Sequence, residues 1–158
     1  MAKPKKEQLI RLLNGSSIAC KLLASIIRLD DLLVLLNAKG HQIGHFKLSN
    51  DTEGKTPKDA DELVSEITES GEKAKDPFIS DGHGGGFRCS TIQSIEEHDG
   101  RDFQGVIVRG LEDAVLGFIP VTSPEVREKV AIALGDALES WTMGKLVQPN
   151  LAEFFNQK

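Results

Sequence analysis

The 158-residue chain has no tyrosine, and aromatic residues make up only 5% of it. Proteins that bind single-stranded nucleic acids stack the bases on aromatic side chains, and a formal net charge of −5 opposes contact with phosphates. No apolar run approaches the ~20 residues that a membrane-spanning helix requires. The composition therefore argues against a nucleic-acid-binding protein and against a membrane protein.

Cysteine is also scarce, because the chain contains only Cys20 and Cys89. Two cysteines are too few for the disulfide framework of a small secreted protein, so we expect two buried free thiols. The first residues are basic, but the apolar segment of a signal peptide does not follow them. These features together predict a cytoplasmic protein.

The charges are distributed unevenly along the chain. Residues 1–50 carry a net charge of +5, residues 51–81 carry −6, and residues 82–158 carry −4. The acidic middle segment contains a predicted helix over 57–70 with apolar residues on one face and carboxylates on the other. We therefore expect partner-binding residues on its acidic face, namely Asp59, Glu62, Glu66 and Glu69.

The motifs of common catalytic sites are missing. The glycine-rich loop 81–86 lacks the Gly-Lys-Ser/Thr ending of a phosphate-binding loop and precedes a strand rather than a helix. No G-x-S-x-G sequence is present, and Cys89 alternates with Phe87 and Thr91 as a core residue of a strand would. We therefore predict no catalytic residue and favour a protein without enzymatic activity, with no cofactor identified.

Histidines are the remaining candidates for contacts to a small ligand. His41 and His45 have the H-x-x-x-H spacing, but on a predicted strand they lie ~13 Å apart, too far to share one metal ion. We therefore predict no metal site. His41, His45 and His83 remain candidate contacts for a ligand such as haem held between the sheet and residues 57–86.

Apolar periodicity, caps and turn residues predict the order α-α-β-β-α-β-β-β-α. The predicted helices are 5–13, 18–27, 57–70 and 124–143, and the predicted strands are 32–36, 41–48, 87–95, 103–109 and 114–121. The continuous apolar run 32–36 suggests a strand covered on both faces. Residues 72–86 are predicted to form a connecting loop. The sequence shows no evident internal repeat.

This order predicts an α+β fold with a single antiparallel sheet of about five strands and flanking helices. We expect residues 1–145 to form one domain and residues 146–158 to form an apolar tail or short helix. The same element order occurs in profilin-like, roadblock-like and GAF/PAS-type sensory modules.

Two segments of the chain resemble the small haem-associated HbpS/GlcG-like proteins. In that family a Gly-His turn joins two strands, as Gly40 and His41 do within 34–46. A late strand with an inner glycine then leads into a helix, like 115–121 before Ser123. The family's Lys-Ala-rich helix has no counterpart at 57–70. The resemblance implies haem or another small ligand.

The first functional hypothesis is a regulatory or scaffold module that acts by protein–protein association, as a homodimer. It depends on the apolar C-terminal segment, where Trp141, Phe154 and Phe155 require a cover from the chain itself or from a second subunit. The first alternative is a small-ligand-binding protein. The second alternative is an acidic inhibitor or immunity protein that binds a basic partner through the carboxylates of 57–70.

Overall fold

The computed structural model describes residues 9–11, 17–29, 32–47 and 60–155. This part of the chain forms ten strands and three helices. The strands are β1 (Leu9–Arg11), β2 (Ser17–Ala19), β3 (Ser25–Leu29), β4 (Leu32–Leu36), β5 (Gln42–Lys47), β6 (Phe78–Ser80), β7 (Gly86–Arg88), β8 (Ser94–Asp99), β9 (Gln104–Arg109) and β10 (Val115–Pro120). The helices are α1 (Ala60–Lys73), α2 (Pro124–Thr142) and α3 (Leu151–Phe155).

The strands form three antiparallel sheets, so the predicted single sheet is wrong, although the α+β content is as expected. One sheet has the order β5-β4-β3-β7-β6, the second has the order β10-β9-β8, and β1 pairs with β2. The predicted helix over 18–27 and the predicted strand over 87–95 are each interrupted by a 3₁₀ turn, at Cys20–Leu22 and at Cys89–Thr91. Two elements therefore replace one, and they belong to different sheets.

The helices predicted over 5–13 and 18–27 are wrong wherever the structure describes them. Residues 9–11 form β1, and residues 17–29 form β2, a 3₁₀ turn at Cys20–Leu22, and β3. The turn interrupts the two-residue alternation of side chains in a strand. Apolar residues before and after it therefore recur at a spacing that is typical of a helix. The β-branched isoleucines of this segment favour strands instead.

A structural repeat, which is not evident in the sequence, relates the two halves of the chain. A shift of 69 residues carries β1, β2, the 3₁₀ turn and β3 onto β6, β7, the turn at Cys89–Thr91 and β8. The β8–β9 hairpin is four residues longer, so β4 and β5 correspond to β9 and β10 with a shift of 73. We call β1–β5 with α1 the first unit and β6–β10 with α2 the second unit.

Backbone geometry supports this correspondence in detail. The residues before the two 3₁₀ turns, Ala19 and Arg88, have φ/ψ of −70°/124° and −68°/126°. Both units also contain a bulge at the same place in the last hairpin, where Gly44 and Gly117 follow the extra residue. Only five of the eighteen residues in 9–26 are identical to their counterparts in 78–95, which is why the repeat is hard to see in the sequence.

Each unit has its own core, and the β6–β7 hairpin contributes to both. Phe78 packs with the first core, whereas Ile79 and Phe87 belong to the second. The first core consists of Ile10, Cys20, Leu23, Ile26, Leu33, Leu35, Leu63, Ile67 and Phe78. The units are therefore joined by shared packing as well as by the pairing of β3 with β7.

The start of α1 and the ends of α2 test the capping signals in the sequence. Thr56 and Pro57 lie outside the described residues, and Gly71 does not end α1, because the helix continues to Lys73. Gly71 is instead a site of close packing, since a Cβ there would lie 2.9 Å from the Asp76 carbonyl oxygen. For α2 the prediction is confirmed: Ser123 Oγ accepts a hydrogen bond from the Val126 amide, and the helix ends before Gly144.

Candidate functional site

The outer face of β3 and β4 carries apolar side chains that the described part of the chain covers only in part. In the register of the sheet Ile27 pairs with Val34, and Leu29 pairs with Leu32, so all four side chains lie on the side opposite the first core. Leu29 is 49% exposed, and the other three are half-buried. The sequence suggested that the run 32–36 is covered on both faces, but the described residues cover its outer face only in part. We call this surface the open face.

The edge strand β10 forms one wall beside the open face. It approaches β3 and β7 closely because Gly117 has no side chain, and a Cβ there would lie 2.5 Å from the Phe87 ring. Phe118, the next residue, is 51% exposed. Its ring packs edge-on against Phe103, with centroids 4.9 Å apart. The strand thus presents a fixed, exposed aromatic ring next to the apolar face.

Residues 81–85 form the opposite wall as a compact loop built around Asp81. The Asp81 side chain is buried, and its Oδ1 accepts hydrogen bonds from the His83 amide at 2.7 Å and the Gly85 amide at 3.0 Å. Gly85 lies against β3, where a Cβ would come within 2.2 Å of the Ile26 carbonyl oxygen. These amides are directed at Asp81, so the loop does not offer them to a phosphate group.

A groove of about 530 Å³ lies between these walls, and we call it the β3–β10 groove. It is lined by Ile27, Arg28, Leu29, Asp81, His83, Phe118 and Pro120. Arg28 forms an ion pair with Asp61 of α1. The His83 ring stacks on Phe155, with centroids 4.4 Å apart and planes inclined by 17°. The lining of the groove is largely apolar, and its charged side chains are those of Arg28 and Asp81.

The three histidines predicted as ligand contacts are not brought together. His83 lines the β3–β10 groove, whereas His45 lies on β5, two strands away from Ile27 across the sheet. His41 precedes β5, and its amide donates a hydrogen bond to Asn37 Oδ1 at 3.0 Å. Among the described residues no cluster of three or more His, Cys, Asp or Glu side chains is arranged to hold a metal ion.

None of the described residues that were predicted to bind a partner lines the β3–β10 groove, although Phe155 packs against the groove residue His83. Glu62, Glu66 and Glu69 follow one another along one side of α1, and Asp59 lies outside the described residues. Trp141 is half-buried beside a second groove and donates a hydrogen bond to the Lys75 carbonyl oxygen at 3.4 Å. Phe154 and Phe155 are half-buried against the second core, in which Leu151 is 1% exposed. The chain itself thus covers much of the apolar C-terminal segment.

The Cys89 thiol is not activated as a nucleophile. Both thiols are buried and free. Burial, with a smaller contribution from Asp76, raises the pKa of the Cys89 thiol to about 12, so the thiol is protonated at neutral pH. No helix in the described part of the chain has the length and apolar character needed to cross a membrane.

The groove residues Ile27, Leu29, Asp81, Phe118 and Pro120 were not predicted as functional. The apolar run 32–36 was the sequence feature that could have indicated this surface, but the sequence does not specify which face of that strand is covered. Comparison of the chain with protein-family models, with curated proteins and with solved structures finds no match.

Proposed function

We propose that the protein is a non-catalytic binding module that holds an extended segment of a partner protein in the β3–β10 groove. The observation that carries this proposal is the open face, where Leu29 is exposed and Ile27 is half-buried beside the exposed ring of Phe118. Contiguous exposed apolar surface is characteristic of interaction sites. The corresponding residues of the second unit are Glu96 and His98, so the repeat itself does not require an apolar surface here.

The backbone of β10 supports an extended partner. In its ladder with β9 the Val121 amide donates to the Gln104 carbonyl oxygen, so hydrogen-bonded pairs fall at odd-numbered residues of β10. The amide and carbonyl of Phe118 therefore point away from β9, at the open edge of the sheet. A segment in strand conformation can pair with the Phe118 amide and carbonyl and place alternate side chains in the groove, although Pro120, the next outward-facing residue, has no N–H to donate.

The partner segment is expected to bring apolar side chains at alternate positions. The cytoplasm is the compartment we propose for this interaction, and the two free buried cysteines support it. The homodimer remains a prediction, in which a second copy would supply the segment. Sedimentation velocity tests it, because a concentration-dependent dimer that Ile27→Glu abolishes would identify the second copy as the partner.

A phage-displayed library of random peptides, selected on the full chain, tests the proposed function. We expect enriched peptides with apolar residues in alternation, and about tenfold weaker binding to the Ile27→Glu variant, because the variant places a charge where an apolar contact forms. Ile132→Glu is the matched control, since Ile132 is 54% exposed on α2, away from the groove. Absence of such peptides, or equal binding to Ile27→Glu, would contradict the proposal.

A further inference from the structure

Asp81 is a buried carboxylate that lines the β3–β10 groove. It is 6% exposed, and its Oδ1 is engaged by the amides of His83 and Gly85. Its Oδ2 receives no hydrogen bond from the residues that the structure describes. One oxygen of a buried anion is therefore available to a group that enters the groove.

The arginine that lines the same groove does not neutralise this carboxylate. Arg28 lines the same groove, but its guanidinium is paired with Asp61, and no ion pair joins it to Asp81. Two amide donors partly compensate the negative charge of Asp81. A purely apolar segment in the groove would exclude solvent and add no donor for the carboxylate, which is costly in a desolvated site.

We propose that Asp81 is the counter-ion of a basic side chain, lysine or arginine, carried by the segment that docks in the groove; this inference rests on the proposed function. The apolar stem of such a side chain packs along Ile27 and Leu29 while its cationic end reaches Asp81 Oδ2. The exposed ring of Phe118 offers the cation a second favourable contact. The partner segment is therefore both apolar and basic.

Small probes separate the apolar contribution from the charged one. The chain labelled for NMR is titrated with n-hexylammonium, 1-hexanol and hexanoate, which share an alkyl chain and differ in the charge of the head group. We expect shifts at Ile27, Leu29 and Phe118 with all probes that bind, and about fivefold or tighter binding of the ammonium than of the alcohol. Hexanoate should bind most weakly.

Asp81→Asn removes the charge and keeps an oxygen that accepts the two loop amides, so the loop should retain its conformation. In this variant the ammonium and the alcohol should bind equally, whereas Asp136→Asn, at an exposed position on α2, should keep the preference. A preference for ammonium that survives in Asp81→Asn, or is missing from the natural chain while hexanol binds, would overturn the counter-ion assignment alone. If none of the probes binds, the groove itself and the proposed function are also wrong.

Discussion

In the first unit β3 presents Ile27 and Leu29 on its outer face, whereas β8 of the second unit presents Glu96 and His98 at the corresponding positions. Glu96 accepts a hydrogen bond from Arg109 on the neighbouring strand at 2.5 Å. His98 stacks on Phe103, with ring centroids 6.0 Å apart. The second unit therefore completes its outer face with its own side chains. In the described part of the chain, the first unit leaves the same face apolar and only partly covered, which is the physical basis for proposing a binding site there.

The hairpins that begin the two units differ as well. β7 of the second unit pairs with β3, and the approach depends on Gly85 and Arg88. At the corresponding positions the first unit has Ser16 and Ala19. The residues that join the units are thus present in only one copy of the repeat. Replacing Gly85 by serine and Arg88 by alanine, as in the first unit, measures how much each residue contributes to the contact between the two units.

Arg88→Ala should have the largest effect. The buried guanidinium donates to the carbonyl oxygens of Leu23 at 2.6 Å, Cys20 at 2.9 Å and Asp76 at 3.0 Å. Removing it leaves buried acceptors unpaired and also breaks the ion pair with the Asp76 carboxylate. We expect the free energy of unfolding, measured by chemical denaturation, to fall by about 4 kcal/mol.

Arg127→Ala is the matched control for this change. Arg127 is buried to a similar degree, but its contacts to the His98 carbonyl oxygen and the Asp99 carboxylate are longer, at 3.4 Å and 3.8 Å. Its removal should cost clearly less than that of Arg88. Equal losses would mean that Arg88 acts as an ordinary buried arginine and not as a link between the units.

Gly85→Ser should have the next largest effect. The added Cβ would lie 2.2 Å from the Ile26 carbonyl oxygen, a backbone atom that cannot move without separating β7 from β3. We expect a loss of about 2–3 kcal/mol in the free energy of unfolding. Gly135→Ala on α2 is the control, because a Cβ there meets no atom within 4 Å. An unchanged stability of Gly85→Ser would show that the junction does not depend on this close approach.

Local signals predicted the parts of the fold that depend on neighbouring residues. Ser123 and Pro124 specify the start of α2, and the turn at Asn37–Gly40 specifies the β4–β5 hairpin. The assignment of strands to three sheets was not predictable in this way, because β3 pairs with β7 across a sequence separation that no local pattern encodes.

The candidate site escaped prediction for a related reason. Whether Ile27 lies in a core or on an open face depends on which element covers β3, and that is decided by the distant strand β10. The role proposed for Asp81 likewise depends on the loop conformation that Gly85 permits against Ile26. His83 was a candidate from the sequence, and it lines the groove. Its stacking on Phe155 and the apolar side chains that line the groove beside it are evident only in the folded chain.

Cys20 and Cys89 occupy the same position in the two units, and the pKa of Cys89 predicts the smallest effect. This pKa is raised from 9.0 to about 12, mainly by burial. The native state therefore favours the neutral thiol. The resulting stabilisation is fully present below pH 9.0, and it is lost as pH rises toward about 12, because the thiol of the unfolded chain ionises first. At pH 10 the loss should be about 1 kcal/mol relative to neutral pH.

Other groups also titrate in this range, so the measurement compares the natural chain with Cys89→Ala across the same pH series. The variant lowers stability at neutral pH by creating a small cavity, but it has no thiol at this position to ionise. The difference in unfolding free energy between the two proteins should therefore shrink steadily above pH 9.0. A constant difference would mean that the Cys89 thiol ionises equally easily in the folded and unfolded chains, and that its burial at the head of the second 3₁₀ turn does not restrict its chemistry.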